Sequence, residues 1–342
     1  IELLTSGTTG PPKQFPLTYD LIARDMVGVN TMQTSQQHDP LDLPPLYFYL
    51  SFSNISGIYL IIPALLSGIR GVLVDRFRVP TWHDYVVRYK PVFIGLPLPA
   101  IGMIMEANLP PEDLSSLKGI NTGAAMLDPD LHRAFEERYH IAILLVYGAT
   151  ETGGPVTMMT YALYEEWGKK KFGSLGRPFN QAKLRVVDQE TGELLSPGQK
   201  GLLEIQTDRI GPEWIRTSDL CVLDEDDFLY FHGRADGAIN RGGFKIIPET
   251  VENALKQHGA ISEVSVVGKP DKRLGEVPVA AIVLKPGSAT PDFDELEAFL
   301  RERVASTHIP VDWRVIDEMP YTNTMKIHRG TVKGLFQSDA PN

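Results

Sequence analysis

The chain has 342 residues, of which 43% are hydrophobic and 22% charged, and its formal net charge is −10 at pH 7. This composition indicates a globular protein of about two domains and excludes disordered, collagen-like and coiled-coil proteins. The negative net charge argues against a broad positively charged surface that binds nucleic acid. The single cysteine, Cys221, excludes a disulfide within the chain and a zinc site built from two or more cysteines, so the cytoplasm is the expected compartment. Acidic neighbours disfavour a thiolate, and we expect an ordinary buried thiol.

From residue 1 to about residue 234, short apolar runs alternate with amphipathic stretches. An uncharged stretch, residues 43–69, is long enough to cross a membrane, but prolines, glycines and an asparagine interrupt it. We therefore expect a buried helix over residues 58–66 and no transmembrane segment. Strands are predicted at residues 71–75, 92–95 and 141–146, and a helix at residues 131–139. Strands that alternate with helices predict a layered α/β domain.

The pattern changes further along the chain. Residues 188–231 have the pattern of short strands separated by turns, which predicts a β-rich subdomain. The remainder predicts a small α+β unit, in which Pro248 suits the start of a helix. Its predicted elements are strands at residues 243–247, 264–267, 279–284 and 313–316 and helices at residues 248–258 and 292–305. We predict two domains, residues 1–235 and 236–342, joined by a hinge at Asp236.

A dense run of hydroxyl groups and glycines follows the first apolar run. It reads Thr5-Ser6-Gly7-Thr8-Thr9-Gly10-Pro11-Pro12-Lys13. Glycines let the backbone approach an oxyanion, hydroxyls and amides donate hydrogen bonds, and a lysine supplies positive charge. The glycine spacing differs from the GxxxxGK[ST] pattern of P-loop NTPases. The run predicts a phosphate-binding loop, and the alternative is a surface turn.

This loop is the first of five segments that, in chain order, resemble the adenylate-forming superfamily. That superfamily includes acyl-CoA synthetases, luciferases and peptide-synthetase adenylation domains. The second segment is Tyr147-Gly148-Ala149-Thr150-Glu151. The others are residues 214–220, residues 233–236 with the following 241–246, and residues 320–329. Five ordered matches over nearly the whole chain identify it as a member of this superfamily.

The resemblance implies a set of site residues with distinct roles. Residues that bind the nucleotide and its phosphates are Thr5, Ser6, Gly7, Thr8, Thr9, Lys13, Tyr147, Asp219 and Arg234. Residues with catalytic roles are Thr150 at the α-phosphate, Glu151 at Mg²⁺ and Lys326, which enters the adenylation site. The acyl pocket is assigned to Asn54, Gly123, Ala124 and Gly148, the coenzyme A path to Gly242 and Gly243, and the hinge to Asp236.

Three positions depart from the usual pattern of the superfamily. Ser218 replaces a common glycine before the ribose-binding aspartate, and Asn240 stands where a lysine often occurs. Met325 replaces the glycine before Lys326. If the backbone there needs a positive φ, a residue other than glycine costs about 1 kcal/mol or more. Lys326 is then placed less readily in the adenylation site, which disfavours the first reaction step.

The resemblance also shapes two expectations about extent and substrate. The superfamily normally has a further N-terminal subdomain before the phosphate loop, and we expect that subdomain to be missing from this sequence. Asn54 stands where related ligases often carry a gating histidine and aryl-acid enzymes an asparagine. The segment 52–54 lacks the aspartate that pairs with an amino acid's ammonium group, which disfavours amino acid substrates. Small residues near 123 leave room for an aryl or fatty acid.

The sequence therefore predicts an α/β protein with a β-rich subdomain and a small mobile α+β C-terminal domain. The predicted activity is ATP- and Mg²⁺-dependent formation of an acyl-adenylate, followed by transfer of the acyl group to coenzyme A. One alternative is a stand-alone domain that loads a carrier protein. Another is a nucleotide-binding relative without adenylating activity. Besides that carrier protein, we expect only small-molecule partners, namely a carboxylic acid, ATP and coenzyme A, with no nucleic acid and no transmembrane segment.

Overall fold

The computed structural model describes residues 2–5, 13–27, 39–50, 55–123, 127–235, 237–241, 244–271, 274–322 and 325–337. Residues 4, 5, 13, 14, 25–27, 240, 244 and 245 among them are described by their backbone alone. Contacts divide the chain into two compact units. The first comprises Ile1–Lys200, Glu204–Thr217 and Val222–Tyr230, and the second comprises Gly201–Leu203, Ser218–Cys221 and Phe231–Asn342. The predicted boundary between residues 235 and 236 stays a prediction.

Helices and strands alternate through the first part of the chain, as the sequence predicts. The strands are β1 (Glu2–Thr5), β2 (Lys13–Pro16), β3 (Leu46–Phe48), β4 (Gly71–Leu73), β5 (Phe93–Gly95), β6 (Gly119–Gly123), β7 (Ala142–Ala149), β8 (Gly154–Met158) and β9 (Arg177–Pro178). The helices are α1 (Tyr19–Leu21), continued by a π-helical segment (Ile22–Val27), α2 (Ile55–Leu66), α3 (Val79–Tyr89), α4 (Pro99–Ala107), α5 (Pro129–Tyr139) and α6 (Tyr161–Trp167). Short 3₁₀ turns occur at Pro111–Leu114 and Thr150–Thr152.

The main sheet of the first unit has the order β5-β6-β7-β8-β9. Strands β5, β6 and β7 are parallel, whereas β8 is antiparallel to both of its neighbours. The first four residues of β7 are all buried, because a strand in a parallel sheet is covered on both faces. The carboxyl ends of β6 and β7 therefore lie at one edge of the sheet, which is where α/β sheets bind ligands.

The buried helix predicted at residues 58–66 is confirmed and begins three residues earlier, as α2. Ile58 packs with Leu3 and Leu17, and Ile61 packs with Phe48. The uncharged stretch around it is thus explained by core packing. Within the described ranges, no helix combines the length and the apolar character needed to cross a membrane.

The β-rich segment forms a four-stranded sheet, ordered β10-β11-β12-β13. Its strands are β10 (Lys183–Val187), β11 (Lys200–Thr207), β12 (Gly211–Leu223) and β13 (Leu229–Arg234). Cys221 lies on β12 with no exposed surface. Burial, followed by the negative charge of Asp219, raises the pKa of its thiol well above the ordinary value. The expectation of an ordinary buried thiol is confirmed.

The second unit has a five-stranded sheet in which β15, β14, β17 and β16 are neighbours in that order and β18 also pairs with β17. The strands are β14 (Ile239–Arg241), β15 (Phe244–Ile246), β16 (Ile261–Asp271), β17 (Gly275–Leu284) and β18 (Trp313–Val315). The helices are α7 (Pro248–Lys256), α8 (Phe293–Arg301) and α9 (Arg329–Leu335), with a 3₁₀ turn at Ser306–His308.

Both faces of this sheet are buried. Ala280 and Ile282 of β17 pack with Leu255 of α7 and Leu296 of α8, whereas Val279 and Ala281 belong to a second apolar cluster with residues of α9. Alternate residues of a strand point to opposite faces, so α7 and α8 cover one face and α9 covers the other. The result is the predicted α+β unit.

Two helices of this unit end earlier than predicted: α7 ends at Lys256, two residues before its predicted end, and α8 ends at Arg301. Asp292 caps α8 by accepting a hydrogen bond from the Asp294 amide, but the predicted end at residue 305 is wrong. The amides of Arg303 and Val304 both donate to the Leu300 carbonyl, each at 2.9 Å. The chain turns there because Val304 packs against the apolar core of the unit.

Candidate active site

Strand β7 and the 3₁₀ turn that follows it carry the segment Tyr147-Gly148-Ala149-Thr150-Glu151. In the register of the parallel sheet, Gly123 at the end of β6 is opposite Val146 of β7. Gly123 and Tyr147 therefore lie at the same edge of the sheet, as predicted for a shared site. Ala124, the next predicted pocket residue, lies outside the described residues.

Close backbone contacts explain the two described glycines of this edge. A Cβ atom at Gly123 would lie 2.2 Å from the Val146 carbonyl oxygen, and one at Gly148 would lie 2.5 Å from the Gly154 carbonyl oxygen. Contacts this short with backbone atoms require the strands to move apart. Glycine is thus required at both positions by packing alone, and their role in an acyl pocket stays a prediction.

Hydrogen bonds hold the turn after β7 in one conformation. Thr152 Oγ1 accepts a hydrogen bond from the Ala149 amide at 3.1 Å and lies 2.8 Å from the Gly154 carbonyl oxygen. The Gly153 amide donates to the Thr150 carbonyl at 3.0 Å. Gly153 has φ +66° and Gly154 φ +123°, values that other residues rarely adopt. Thr150 and Glu151 are therefore presented by a fixed backbone.

Glu151 is exposed on this turn and, among the described residues, has no ion-pair partner. Mg²⁺ is typically bound through one or two carboxylates together with substrate phosphates rather than by an all-protein cage. No group of three or more potential ligands from His, Cys, Asp and Glu occurs in the described part of the chain. A single exposed carboxylate fits Mg²⁺ that arrives with a nucleotide.

The predicted phosphate loop connects β1 and β2. These strands form an antiparallel hairpin in which Thr5 pairs with Lys13. The backbone of the two predicted phosphate-binding residues at its base is thus brought side by side. Ser6, Gly7, Thr8 and Thr9 lie outside the described residues, as does Asn54.

In the second unit, Asp219 and Arg234 lie on neighbouring strands β12 and β13. Arg234 Nη1 is 3.4 Å from Asp219 Oδ1, and Arg234 Nη2 donates to the Ser218 hydroxyl. The backbone between them is fixed, since the Ala235 amide donates to the Ser218 carbonyl at 2.7 Å. The structure thus brings together the two residues predicted to contact ribose.

Lys326 lies at the end of a tight hairpin that pairs Tyr321 with Ile327. The Thr322 amide donates to the Lys326 carbonyl at 2.8 Å, and the Met325 amide donates to the Thr322 carbonyl at 2.9 Å. A three-residue hairpin loop of this kind ends in a left-handed residue. Met325 has φ +60°. The backbone before Lys326 is therefore left-handed at a residue other than glycine, which is strained.

The hinge and the coenzyme A path are not described by the structure. Asp236, Gly242 and Gly243 lie outside the described residues. Sequence reasoning also missed two residues next to the Thr150–Thr152 turn, Tyr59 and Arg209, which contact Gly153 and Pro155. Their side chains are ordinary in type and distant in sequence, so no local pattern could have revealed them.

Comparison with known proteins places these segments in a family. Residues 3–212 match the family described as AMP-binding enzyme, and residues 250–326 match the AMP-binding enzyme C-terminal domain. The long-chain-fatty-acid–CoA ligase of Bacillus subtilis (strain 168) is 31% identical over 343 residues, covering 95% of this chain and 60% of the ligase. The 4-coumarate–CoA ligase-like 9 of Arabidopsis thaliana is 32% identical over 306 residues, covering 84% of this chain and 53% of that protein.

A solved structure of similar fold is O-succinylbenzoate coenzyme A synthetase from Bacillus subtilis, in complex with ATP and magnesium ion. It has a TM-score of 0.77 and 27% identity, and the match covers 97% of this chain and 69% of that one. The chain spans 60% and 53% of the lengths of the two relatives above. Because the AMP-binding match extends over more than half of the chain, the prediction is confirmed: this chain belongs to the AMP-binding enzyme family, within the adenylate-forming superfamily.

Proposed function

We propose that this protein activates a carboxylic acid with ATP and then transfers the acyl group to coenzyme A, as an AMP-forming acid–thiol ligase. The observation that carries the proposal is the fixed turn at the carboxyl edge of the parallel sheet, which presents Thr150 and an exposed Glu151. The names of the two relatives above support it, since one is named a CoA ligase and the other a CoA ligase-like protein.

In the first step, a carboxylate oxygen of the acid bonds to the α-phosphorus of ATP and the bond to pyrophosphate breaks. Negative charge builds up on the phosphate oxygens, and groups already fixed in place stabilise it best. We assign the Thr150 hydroxyl to the α-phosphate and the Lys326 ammonium to the charge between carboxylate and phosphate. Glu151 would hold Mg²⁺, which when bound neutralises phosphate charge.

Other residues bind the nucleoside and the β- and γ-phosphates of ATP in this proposal. Tyr147 stacks on adenine, and Asp219 and Arg234 contact the ribose hydroxyls. The loop from Thr5 to Lys13 binds the β- and γ-phosphates through its amides, hydroxyls and lysine.

In the second step, the thiol sulfur of coenzyme A bonds to the acyl carbonyl carbon and AMP leaves. We assign the thiol's path to the segment with Gly242 and Gly243, where a side chain would obstruct it. Lys326 and Gly243 belong to one predicted domain, residues 236–342, but serve different steps. A rotation of that domain about Asp236 between the steps is the simplest explanation.

The acid is proposed to be an aryl or a fatty acid, bound beside Asn54, Gly123, Ala124 and Gly148. The two curated relatives are named for a long-chain fatty acid and for 4-coumarate at nearly equal identity, so identity does not choose between the two classes. A cytoplasmic location completes the proposal.

The test measures the two half-reactions separately in the full chain. Pyrophosphate exchange is screened over medium- and long-chain fatty acids and cinnamic acids, and thioester formation is then compared with free coenzyme A and with a carrier protein as acceptor. Lys326→Ala should lose exchange but still convert supplied acyl-AMP to thioester, whereas Gly243→Leu should show the reverse. Lys285→Ala, an exposed lysine of the same unit, is the control and should leave both steps unchanged. Tight AMP binding without exchange for any acid would instead favour a nucleotide-binding relative, and thioester formation on the carrier alone would favour carrier loading.

A further inference from the structure

Arg209 is a buried cation next to the turn that carries Thr150 and Glu151. It lies in the connection between β11 and β12 and is 8% exposed. Its Nε donates to Thr207 Oγ1 at 3.2 Å, its Nη1 donates to the Tyr59 hydroxyl at 3.1 Å, and its Nη2 donates to the Pro155 carbonyl. All three acceptors are uncharged.

In the described part of the chain, no carboxylate forms an ion pair with Arg209, and its Nε, Nη1 and Nη2 atoms all donate to the uncharged groups named above. A charged group removed from water without a counter-charge is expensive, and a well-packed apolar side chain is often at least as stabilising. Stability alone therefore gives little reason for an arginine here. The geometry of its contacts offers another reason.

Tyr59 of α2 connects Arg209 to Gly153 and Gly154, the two residues that follow the Thr150–Thr152 turn. The Tyr59 hydroxyl accepts from Arg209 and donates to the Gly153 carbonyl at 2.5 Å. A Cβ atom at Gly154 would lie 2.4 Å from the Tyr59 ring. The backbone from Gly153 to Pro155 is thus held by a hydrogen bond at each end and by a ring against its middle.

These contacts fall where the backbone would otherwise be most free. Gly153 and Gly154 both have positive φ, and glycine loses more conformational freedom on ordering than any other residue. The turn presents Thr150 and Glu151 reproducibly only if these two glycines are fixed. Thr152, within the turn, forms hydrogen bonds with the turn's own backbone. Tyr59 of α2 and Arg209 of the β11–β12 connection hold the turn from outside it.

We propose that Arg209, acting through Tyr59, is a positioning residue that fixes the Gly153–Pro155 backbone and thereby places Thr150 and Glu151 for the adenylation step. Its part in catalysis rests on the function proposed above, whereas its hold on the backbone does not. A neutral residue that fills the same space restores packing but cannot donate to Tyr59 and Pro155 together.

The experiment compares Arg209→Met, Arg209→Lys and Tyr59→Phe in the full chain. Displacement of a catalytic group by about 1 Å can cost about a hundredfold in rate. Arg209→Met should therefore lower the kcat of pyrophosphate exchange by about tenfold to a hundredfold and raise the Mg²⁺ concentration for half-maximal rate. Arg209→Lys should recover part of this loss, and Tyr59→Phe should shift both quantities in the same direction. The double variant should be no worse than the worse single variant, because the two residues act as a unit.

Arg138→Met is the matched control. Arg138 is a partly buried arginine of α5 that donates to the Leu109 carbonyl at 3.5 Å and does not contact the turn. The Arg138→Met variant should be less stable to urea, without any change in the Mg²⁺ dependence of pyrophosphate exchange. If Arg209→Met changes only stability, as the control does, the positioning role is overturned. Should Arg209→Met fail to fold, Tyr59→Phe and Arg209→Lys decide the same question.

A second readout does not depend on activity. The Gly153 amide donates to Thr150 within the turn, so amide hydrogen exchange over residues 150–156 should be faster in Arg209→Met and Tyr59→Phe than in the wild type and the control. Faster amide exchange in a protein that activates no acid would support the hold on the turn and contradict the proposed function. Unchanged amide exchange would overturn the positioning role whatever the activity.

Discussion

The Arg234 guanidinium contacts both Asp219 and Ser218, with Nη1 3.4 Å from Asp219 Oδ1 and Nη2 donating to the Ser218 hydroxyl. Ser218 replaces a glycine that is common in the superfamily. Its hydroxyl gives Arg234 an acceptor that glycine lacks, while the Asp219 carboxylate is almost buried. The substitution therefore helps to hold the arginine predicted to contact ribose.

Ser218→Ala should weaken AMP binding. The hydrogen bond involves a charged donor, and its loss should cost about 1 kcal/mol, which is about fivefold in Kd. Calorimetric titration with AMP measures this directly. Ser218→Thr keeps the hydroxyl and is the control. Equal affinity for AMP in Ser218→Ala and the wild type would show that the hydroxyl does not position Arg234.

Met325→Gly should stabilise the hairpin that carries Lys326. A left-handed backbone costs an ordinary residue about 1 to 2 kcal/mol, part of which glycine loses again through its greater freedom in the unfolded chain. We expect a net gain of about 0.5 to 1 kcal/mol in the free energy of unfolding, measured in urea. Met325→Ala removes the side chain but keeps the strained backbone, so it should show no gain. Met325→Asn should show an intermediate gain, because asparagine tolerates this conformation.

The sequence predicts helix positions well, because the periodicity of apolar residues is a local signal. It predicts the ends of strands less well, because pairing with a neighbouring strand determines them. α2 and α7 lie close to their predicted positions because burial and Pro248 mark them. β16 extends to Asp271, beyond its predicted end at residue 267, since pairing with β17 continues through polar residues and a proline.

For the candidate site, motifs predicted roles for Glu151, Asp219 and Lys326, and the glycine that Met325 replaces pointed to the position where the structure has a positive φ. The roles of Tyr59 and Arg209 could not be predicted. Residues 150 positions apart meet there, and neither stands in a recognisable pattern.

The stability that Asp224 contributes should disappear in acid. Lys171 Nζ lies 2.8 Å from Asp224 Oδ2 and 2.6 Å from Asp226 Oδ2. Burial raises the pKa of Asp224, but hydrogen bonds from Lys171 and from the amides of Phe228 and Asp226 outweigh it, and the pKa lies below its ordinary value of 3.8. A carboxyl with a lowered folded-state pKa stabilises the fold above its unfolded pKa and loses that effect as the pH falls through the folded value.

The measurement compares the wild type with Asp224→Asn by urea unfolding. The difference in unfolding free energy should be largest at about pH 7 and shrink below about pH 4. Asp130→Asn removes the exposed pair with Arg133 and should have little effect at any pH. A difference for Asp224→Asn that does not change between these pH values would contradict the ion pair's contribution.

Removing Arg329 should destabilise the second unit strongly. Arg329 follows Lys326 by three residues. Its Nη2 lies 3.0 Å from both Glu249 Oε1 and Glu252 Oε2. Glu252 is almost completely buried, and its other oxygen accepts from the Val266 amide at 2.8 Å. Arg329→Met leaves the buried Glu252 carboxylate without its ion-pair partner, which should cost about 3 kcal/mol in the free energy of unfolding. Arg301→Met, which removes an exposed pair with Glu297, should cost about 0.5 kcal/mol or less.

The loss in Arg329→Met should also depend on pH, with a sign opposite to that of Asp224. Burial raises the pKa of Glu252, whereas the charge of Arg329 lowers it, so removing Arg329 should raise this pKa further. A carboxyl whose folded-state pKa lies above its unfolded value binds its proton more tightly when folded. The variant should therefore recover stability as the pH falls through the folded pKa of Glu252, and its deficit should be smaller at about pH 5 than at about pH 8. In the double variant Glu252→Gln/Arg329→Met, with no charge at residue 252, this recovery should largely disappear. If Arg329→Met is destabilised equally at both pH values, the lost stability comes from packing and not from the unpaired charge of Glu252.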